Sequence, residues 1–243
     1  MKKINSSKRF VYAGLALWFA LIGCSLFNTT SVGAVKTESQ TVDLDSATSA
    51  NVQIEFPAGE LKVQGGTSNL MDASFRYNVD DWQPQVSYSE NSTQGDLRVS
   101  QEENDRVPVG GGLINEWEIQ LSKNVPMDLM IRTGAGNSQL DLGGLDITSL
   151  TIETGAGVTN VNLDGNWEHD VNVSIQGGVG ERTVNLPAEM GVRVDMETAL
   201  VTVTANGLIN QENGYVNQAY GTAPHTLTLN LQAGVGSVVL VAP

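Results

Sequence analysis

The chain has 243 residues, of which only 6% are aromatic and 26 are glycine, and its formal net charge is −14. This excess of acidic groups repels phosphates, so nucleic acid is excluded as a partner. The length allows a sizeable hydrophobic core in one domain or one repeat array. Abundant Val, Thr, Asn and Gly in the second half favour strands and tight turns over helices.

Residues 1–23 have the features of a bacterial signal peptide. A basic stretch at residues 1–10 precedes an apolar run at residues 11–22, which is short for a permanent membrane helix. The run ends in Leu21-Ile22-Gly23-Cys24, which resembles the lipobox of bacterial lipoproteins. The resemblance implies that the thiol of Cys24 takes a diacylglycerol, that the chain is cut before it, and that the new amino group is acylated. We therefore expect a lipid anchor in the cell membrane or the outer membrane, with a plain secreted protein or a signal anchor as the alternatives.

The next two segments differ in hydrophobic pattern. Residues 24–40 are small and polar without a hydrophobic period, which predicts a flexible tether. Residues 41–125 alternate apolar and polar side chains, as in Val52, Ile54 and Phe56, and this pattern predicts the strands of an N-terminal β domain.

A short glycine-containing phrase recurs in residues 126–243. It reads Ile131-Arg132-Thr133-Gly134-Ala135-Gly136, and it returns at residues 152–157, 175–180 and 231–236, with a degenerate copy at residues 196–201. We call the fourth position of the phrase the corner site; it is held by Gly134, Gly155, Gly178, Ala199 and Gly234. A period of about 21 residues is typical of stacked β coils.

Aliphatic residues keep a constant distance from each corner site. Ile131, Ile152, Ile175 and Leu231 stand three residues before it, and Leu140, Val161 and Val184 stand six residues after it. Stacking would align each set into an apolar ladder, with glycines at corners that need positive φ or close backbone approach. The pattern predicts an all-β, β-solenoid-like stack over residues 126–243, preceded by the N-terminal β domain.

Several segments of the chain resemble the bacterial toast-rack domain. They are residues 52–63 (Val52-Gln53-Ile54-Glu55-Phe56-Pro57-Ala58-Gly59-Glu60-Leu61-Lys62-Val63), residues 82–88 and residues 115–121, and the resemblance covers roughly residues 41–165. That family is similar to the C-terminal domains of membrane proteins linked to the response to cell-wall-active antibiotics. The resemblance implies an extracytoplasmic binding, sensory or scaffold protein of the bacterial envelope, with an envelope protein or glycan as partner. It brings no catalytic residues, and here a lipobox stands in place of transmembrane helices.

No motif in the sequence specifies a chemical reaction. The glycine phrase lacks the Lys of a phosphate loop and the Asp of a calcium repeat, and His169 and His225 lack further metal ligands. Asp141, Asp164 and Glu181 differ in their offset from the corner site, so they form no aligned acidic pair. We therefore predict no enzyme, catalytic residue, cofactor or metal site.

Two alternatives and one candidate binding segment remain. The alternatives are a polysaccharide-binding or polysaccharide-active β-helix protein, and a solenoid that assembles end to end. The polar insertion at residues 206–224, with Tyr215 and Tyr220, is the predicted binding loop, since inserted loops tend to carry function.

Overall fold

The computed structural model describes residues 29–102, 107–165 and 167–243. The predicted signal peptide and lipobox, including Cys24, lie outside the described residues. Among the described residues, no helix has the length and apolar character needed to cross a membrane. The elements are a 3-10 turn at Asp80–Trp82 and the strands β1 (Thr29–Ser31), β2 (Lys36–Val42), β3 (Ser49–Thr67), β4 (Met71–Tyr77), β5 (Pro84–Asn91), β6 (Gln94–Gln101), β7 (Val107–Val109), β8 (Asn115–Ser122), β9 (Met127–Asp141), β10 (Ile147–Asn162), β11 (Val171–Asn185), β12 (Gly191–Asn206), β13 (Ile209–Gln211), β14 (Gly214–Val216) and β15 (Thr226–Val241).

Six long strands form a parallel stack in the order β3, β9, β10, β11, β15, β12. Each strand skips one residue of the pairing register at its corner site, which in β3 is Pro57, and the alternation of inward and outward side chains also shifts there. The register aligns Ile131 with Ile152 and Leu140 with Val161, and the corresponding residues of β11 and β15 continue both ladders. The predicted all-β, β-solenoid-like stack and its two apolar ladders are confirmed.

In the interior coils, the glycine two residues after the corner site lies very close to the backbone of the preceding coil. Gly157 has φ +134°, and a Cβ there would lie 1.9 Å from the carbonyl oxygen of Gly136. The same relation holds between Gly180 and Gly157, and between Gly236 and Gly180. Only a glycine fits a positive φ with another backbone in the space of its side chain.

The stacking order differs from the chain order at the C-terminal end. β15 lies between β11 and β12, although β12 follows β11 in sequence. The strand that stacks on β11 has glycine two residues after its corner site, where a Cβ would lie 1.9 Å from the carbonyl oxygen of Gly180. β15 supplies Gly236 at this position, whereas β12 has Val201. β12 stacks on β15 with Val201 at this position and without a positive φ, so the row of positive-φ glycines ends at β15.

The N-terminal strands cover the first end of the stack. The first half of β3 pairs with β6, which pairs with β5, and its second half pairs with β8, which continues through β4 to β2. The rings of Phe56 and Phe75 pack on Trp117 at centroid distances of 5.0 and 5.2 Å. The hydrophobic core is continuous from β3 to β15.

The ordered body begins before residue 41. Within the segment predicted to be a flexible tether, residues 36–40 belong to β2 and pair antiparallel with β4. Thr29–Ser31 forms β1 and pairs with β7. The hydrophobic pattern of the sequence does not reveal β2, because it is an edge strand whose side chains are largely exposed and polar.

The predicted insertion at residues 206–224 forms part of a cap at the other end. β13 and β14 make an antiparallel hairpin, and β14 pairs with Arg193–Asp195 in the first half of β12. Tyr215 packs on the edge of the hydrophobic core, and Val216 is buried. The hairpin therefore covers the final coil over the first half of its strand.

Candidate functional site

Polar side chains two residues before each corner site form a row across all six coils. The register places them side by side in the order Glu55, Arg132, Glu153, Gln176, Gln232 and Glu197. With the two residues that follow in each coil, this row lines a groove of about 1240 Å³. Adjacent strands are about 4.8 Å apart, so six strands give a groove about 24 Å long. Residues of β5 and β6 complete its lining beside β3.

Ion pairs organise the β3 side of the groove. Glu55 accepts hydrogen bonds from Arg98 at 2.6 Å and from Arg132 at 3.4 Å, and Arg132 also donates to Glu153 at 2.8 Å. The hydrogen bond to Glu153 is the main cause that raises the pKa of Arg132. Each of these carboxylates therefore has a cationic partner, and the charge within this part of the groove is largely balanced.

The other side of the groove offers amides and hydroxyls. Gln176 and Gln232 are exposed, and Gln232 Nε2 donates to Glu197 at 3.3 Å. Thr198 contributes a hydroxyl on this side, and Thr133 and Thr154 contribute hydroxyls nearer to β3. The glycines at the corner sites leave the backbone accessible. Amides and hydroxyls both donate and accept, so this surface can hydrogen-bond the hydroxyls of a neutral polar ligand.

An exposed apolar row runs parallel to the polar row, one residue after the corner site. The register aligns Ala58, Ala135, Ala156, Val179, Val235 and Leu200. Val179 is 55% exposed and Leu200 is 75% exposed. The aliphatic row lies beyond the corner site and outside the groove lining.

The family model for the N-terminal domain of toast_rack (DUF2154) matches residues 31–185. The chain belongs to the toast-rack family. The solved structure of a candidate cell adhesion protein from Clostridium sporogenes is similar to this chain over 85% of its length and over 99% of that chain, with 31% identity and a TM-score of 0.82. A comparison with curated proteins finds no match.

Two further solved structures show only weak likeness to this toast-rack protein. A candidate adhesin from Bacteroides fragilis has 11% identity and a TM-score of 0.33, with coverage of 87% of this chain and 99% of that one. A candidate lipid-binding protein from Parabacteroides distasonis has 9% identity and a TM-score of 0.28, with coverage of 88% and 100%. Scores at this level carry no argument about the toast-rack chain.

The toast-rack structure places Tyr215 and Tyr220 at the cap, outside the lining of the groove. Both are half-buried: Tyr215 pairs with Val194 through β14, and Tyr220 lies beside Arg193. The hydrogen bond to Asp195 is the main cause that raises the pKa of Arg193, and Tyr220 adds to it. A binding role for the two tyrosines stays a prediction.

The acids and histidines considered in the sequence are dispersed. Asp141 accepts a hydrogen bond from Asn162 of the next coil at 2.9 Å. His169 joins two return loops, with Nε2 3.0 Å from Asp146 Oδ1 and Nδ1 3.0 Å from the carbonyl oxygen of Asp170. Over the described ranges, no three His, Cys, Asp or Glu side chains come together in a way that would hold a metal ion.

Sequence reasoning missed the groove, although its signal is present in the repeat. The aliphatic ladders were found by their constant offset from the corner site, and the polar row has an equally constant offset of two residues before it. The varied identities of its members (Glu, Arg and Gln) conceal this regularity. A search for polar residues at a fixed offset would have found it.

Proposed function

We propose that this toast-rack protein is a lipid-anchored, extracytoplasmic binding module of the bacterial cell envelope, and that its groove is the binding surface. The observation that carries the proposal is the polar row that continues across six coils without interruption. A groove about 24 Å long matches an extended ligand better than a small metabolite. The similarity to a candidate cell adhesion protein supports a role in attachment.

The ligand class that fits best is a polysaccharide of the envelope. Gln176 and Gln232 present amides that can pair with ligand hydroxyls in both directions. The balanced charge on the β3 side favours a ligand that is neutral along most of its length. An extended envelope protein is the competing ligand.

The proposal assigns binding and no catalysis to the groove. Glu55 and Glu153 are both ion-paired with Arg132, so neither is presented as a free general acid or base. Asp141 and Glu181, the acids considered for a polysaccharide-active protein, are absent from the groove lining.

A matched pair of substitutions tests the groove. Gln232→Leu removes hydrogen bonding from the polar row, whereas Gln139→Leu makes the same change at an exposed site on the second half of β9, outside the lining. Binding of the lipidated protein to purified envelope polysaccharide, measured by co-sedimentation, should weaken about tenfold for Gln232→Leu. The Gln139→Leu protein should bind like the wild type. If the wild type and both variants bind the polysaccharide with equal affinity, the groove is not the binding surface.

The membrane anchor has its own test. In the proposal the lipid is attached to Cys24, so Cys24→Ser should release the protein into the soluble fraction or leave an uncut precursor. Fractionation of cells and labelling with a fatty acid measure both outcomes. Lipid labelling that survives the substitution would contradict the anchor.

The family resemblance adds a proposed link to envelope stress. Deletion should change the sensitivity of the cell to wall-active antibiotics, measured as a minimal inhibitory concentration. Unchanged sensitivity would count against the stress link, and the groove and anchor tests would be unaffected.

A further inference from the structure

Three neighbouring coils enclose polar side chains on the inner side of the corner. The inward positions one residue before and four residues after the corner site hold Thr133 and Ser138 in β9, Thr154 and Thr159 in β10, and Gly177 and Arg182 in β11. We call these six residues the polar corner. Ser138, Thr159 and Arg182 are only 3–4% exposed.

The polar corner is bounded by apolar pairs on both sides. The same two positions hold Phe56 and Leu61 in β3, and Ala233 and Val238 in β15, and all four residues are buried. A repeat selected only for packing would place apolar side chains at these positions in every coil. The polar residues therefore form a local group within the apolar stack.

Arg182 is the residue in this group without adequate partners. It is 3% exposed, and its Nε and Nη1 have no hydrogen-bond partner among the described residues. Its Nη2 makes a long hydrogen bond of 3.3 Å to Thr154 Oγ1. Burial lowers the pKa of Arg182, because the low-polarity surroundings disfavour the charged form. A buried cation without a counter-charge is strongly destabilising, so its presence here points to a role other than stabilising the fold.

The sequence makes room for this guanidinium directly beneath the groove. A Cβ at Gly177 would lie 1.9 Å from Arg182 Nε and 2.0 Å from Cζ, so the missing side chain at residue 177 is the space that the guanidinium fills. Gly177 and Thr154 also line the groove. Arg182 therefore lies immediately below the groove surface at β10 and β11.

We propose that the polar corner is an oxyanion subsite of the groove, in which Arg182, Thr154 and Thr159 bind a carboxylate or phosphate group of the ligand. This inference rests on the proposed function and specifies the ligand as a polymer that carries acidic groups. The guanidinium brings five N–H donors in a planar fork, and the threonines add hydroxyl donors. The carboxylates closest in sequence, Glu153 and Glu181, do not pair with Arg182.

The net charge of −14 limits how many acidic groups the ligand carries. A dense polyanion would be repelled by the protein as a whole and by the excess of glutamates over arginines in the groove, whereas an isolated oxyanion can bind at one cationic subsite. We therefore infer a largely neutral polysaccharide with separated carboxylate or phosphate substituents.

The test uses two small probes on the mature lipidated protein in detergent. Inorganic phosphate and glucuronate are titrated separately at constant ionic strength, with sodium chloride as the balancing salt, and binding is followed by calorimetry. Saturable binding of phosphate alone identifies a phosphate-bearing ligand, and saturable binding of glucuronate alone identifies a uronate-bearing one. Binding of both supports a general oxyanion subsite, and binding of neither overturns the proposal.

Variants establish where the probe binds. Arg182→Met should abolish probe binding, and Thr154→Val, which keeps the shape of the side chain, should weaken it about tenfold. The control Arg76→Met removes an exposed arginine that is paired with Glu116 outside the groove lining, and it should bind the probe like the wild type. If both Arg182→Met and Thr154→Val bind the probe as tightly as the wild type, the proposal is overturned.

Two readouts separate this inference from the proposed function. Far-ultraviolet circular dichroism and thermal unfolding show whether Arg182→Met folds, and we expect it to be at least as stable as the wild type because an unpaired buried charge is removed. If the variant does not fold, Thr154→Val decides the outcome. Polysaccharide binding that depends on Gln232 but not on Arg182 would retain the groove and reject the subsite.

Discussion

The interior coil β10 and the terminal coil β12 hold the same repeat in different surroundings. β10 pairs along its whole length with β9 on one side and β11 on the other. Among the described residues, β12 pairs along its length only with β15, and β14 covers only Arg193–Asp195 on its other side. β10 keeps Gly155 and Gly157 at the corner, whereas β12 has Ala199 and Val201. β12 still stacks on β15 along its length, so the terminal coil stacks through a corner without positive-φ glycine, whereas the interior coils keep it.

The largest expected effect comes from adding a side chain to the interior corner. In Gly157→Ala the new Cβ would lie 1.9 Å from the carbonyl oxygen of Gly136, at a φ of +134°. Strain and overpacking together should lower the free energy of unfolding by about 4 kcal/mol. Equilibrium urea denaturation measures this loss, and a loss below about 1 kcal/mol would show that the coils tolerate a side chain here.

Gly144→Ala separates the two causes of that loss. Gly144 has a positive φ of +75°, but no atom lies within 4 Å of the position where its Cβ would be. The variant should lose only about 1 kcal/mol, the cost of the left-handed backbone alone. The terminal-coil variant Ala199→Gly should also change the free energy of unfolding by about 1 kcal/mol or less.

The second effect concerns the apolar ladder. Ile152 is fully buried between Ile131 and Ile175, whereas Met196 occupies the same ladder position in β12 and is only half-buried. Ile152→Ala should lower the free energy of unfolding by about 3 kcal/mol, and Met196→Ala should lower it by about 1 kcal/mol. Similar losses in urea denaturation would mean that the terminal coil is as well packed as the interior.

The smallest effect is a pH dependence in the loops. Hydrogen bonds to the carbonyl of Asp170 and the carboxylate of Asp146 raise the pKa of His169, since both acceptors favour the protonated ring. The stabilisation is complete below the unfolded-state pKa of about 6.5 and is lost as the pH rises through the higher folded-state pKa. His169 is 38% exposed, so the contribution should be about 0.5 kcal/mol or less.

His169→Gln measures this contribution through the difference in unfolding free energy from the wild type. The difference should be larger at about pH 5.5 than at about pH 8. The control is His225→Gln near the terminal coil, where Nδ1 is 3.9 Å from Asp170 Oδ1. A pH-independent difference at His169 would show that the loop contact does not depend on the charge of the ring.

Most of the stack could be predicted because its coils obey one local rule. The constant offsets of Ile131 and Ile152, and of Leu140 and Val161, gave both ladders before any register was known. The early start of the ordered body at β1 and β2 could not be predicted in this way. An edge strand such as Lys36–Val42 buries little, so its sequence carries no hydrophobic period.

The candidate site was harder to predict than the fold. The polar row contains charged residues and amides that are ordinary on any exposed strand face. They form a continuous groove only when the six coils are aligned. Arg182 did leave a sequence signal, because a charged residue stands where the other coils have Leu61, Ser138, Thr159, Val238 and Val203. That signal becomes interpretable only once the position is known to face inward.

The sequence by itself determined the long strands, the corners and the ladders of the repeat region in this toast-rack protein, because each follows from a side-chain period or a glycine within one coil. The tertiary structure alone decided that β15 inserts between β11 and β12, since this depends on which backbone passes beside Gly180. It also decided that residues from six separate coils form one groove with a buried guanidinium beneath it. Contacts between distant segments depend on the stacking order, which the spacing within each coil leaves open.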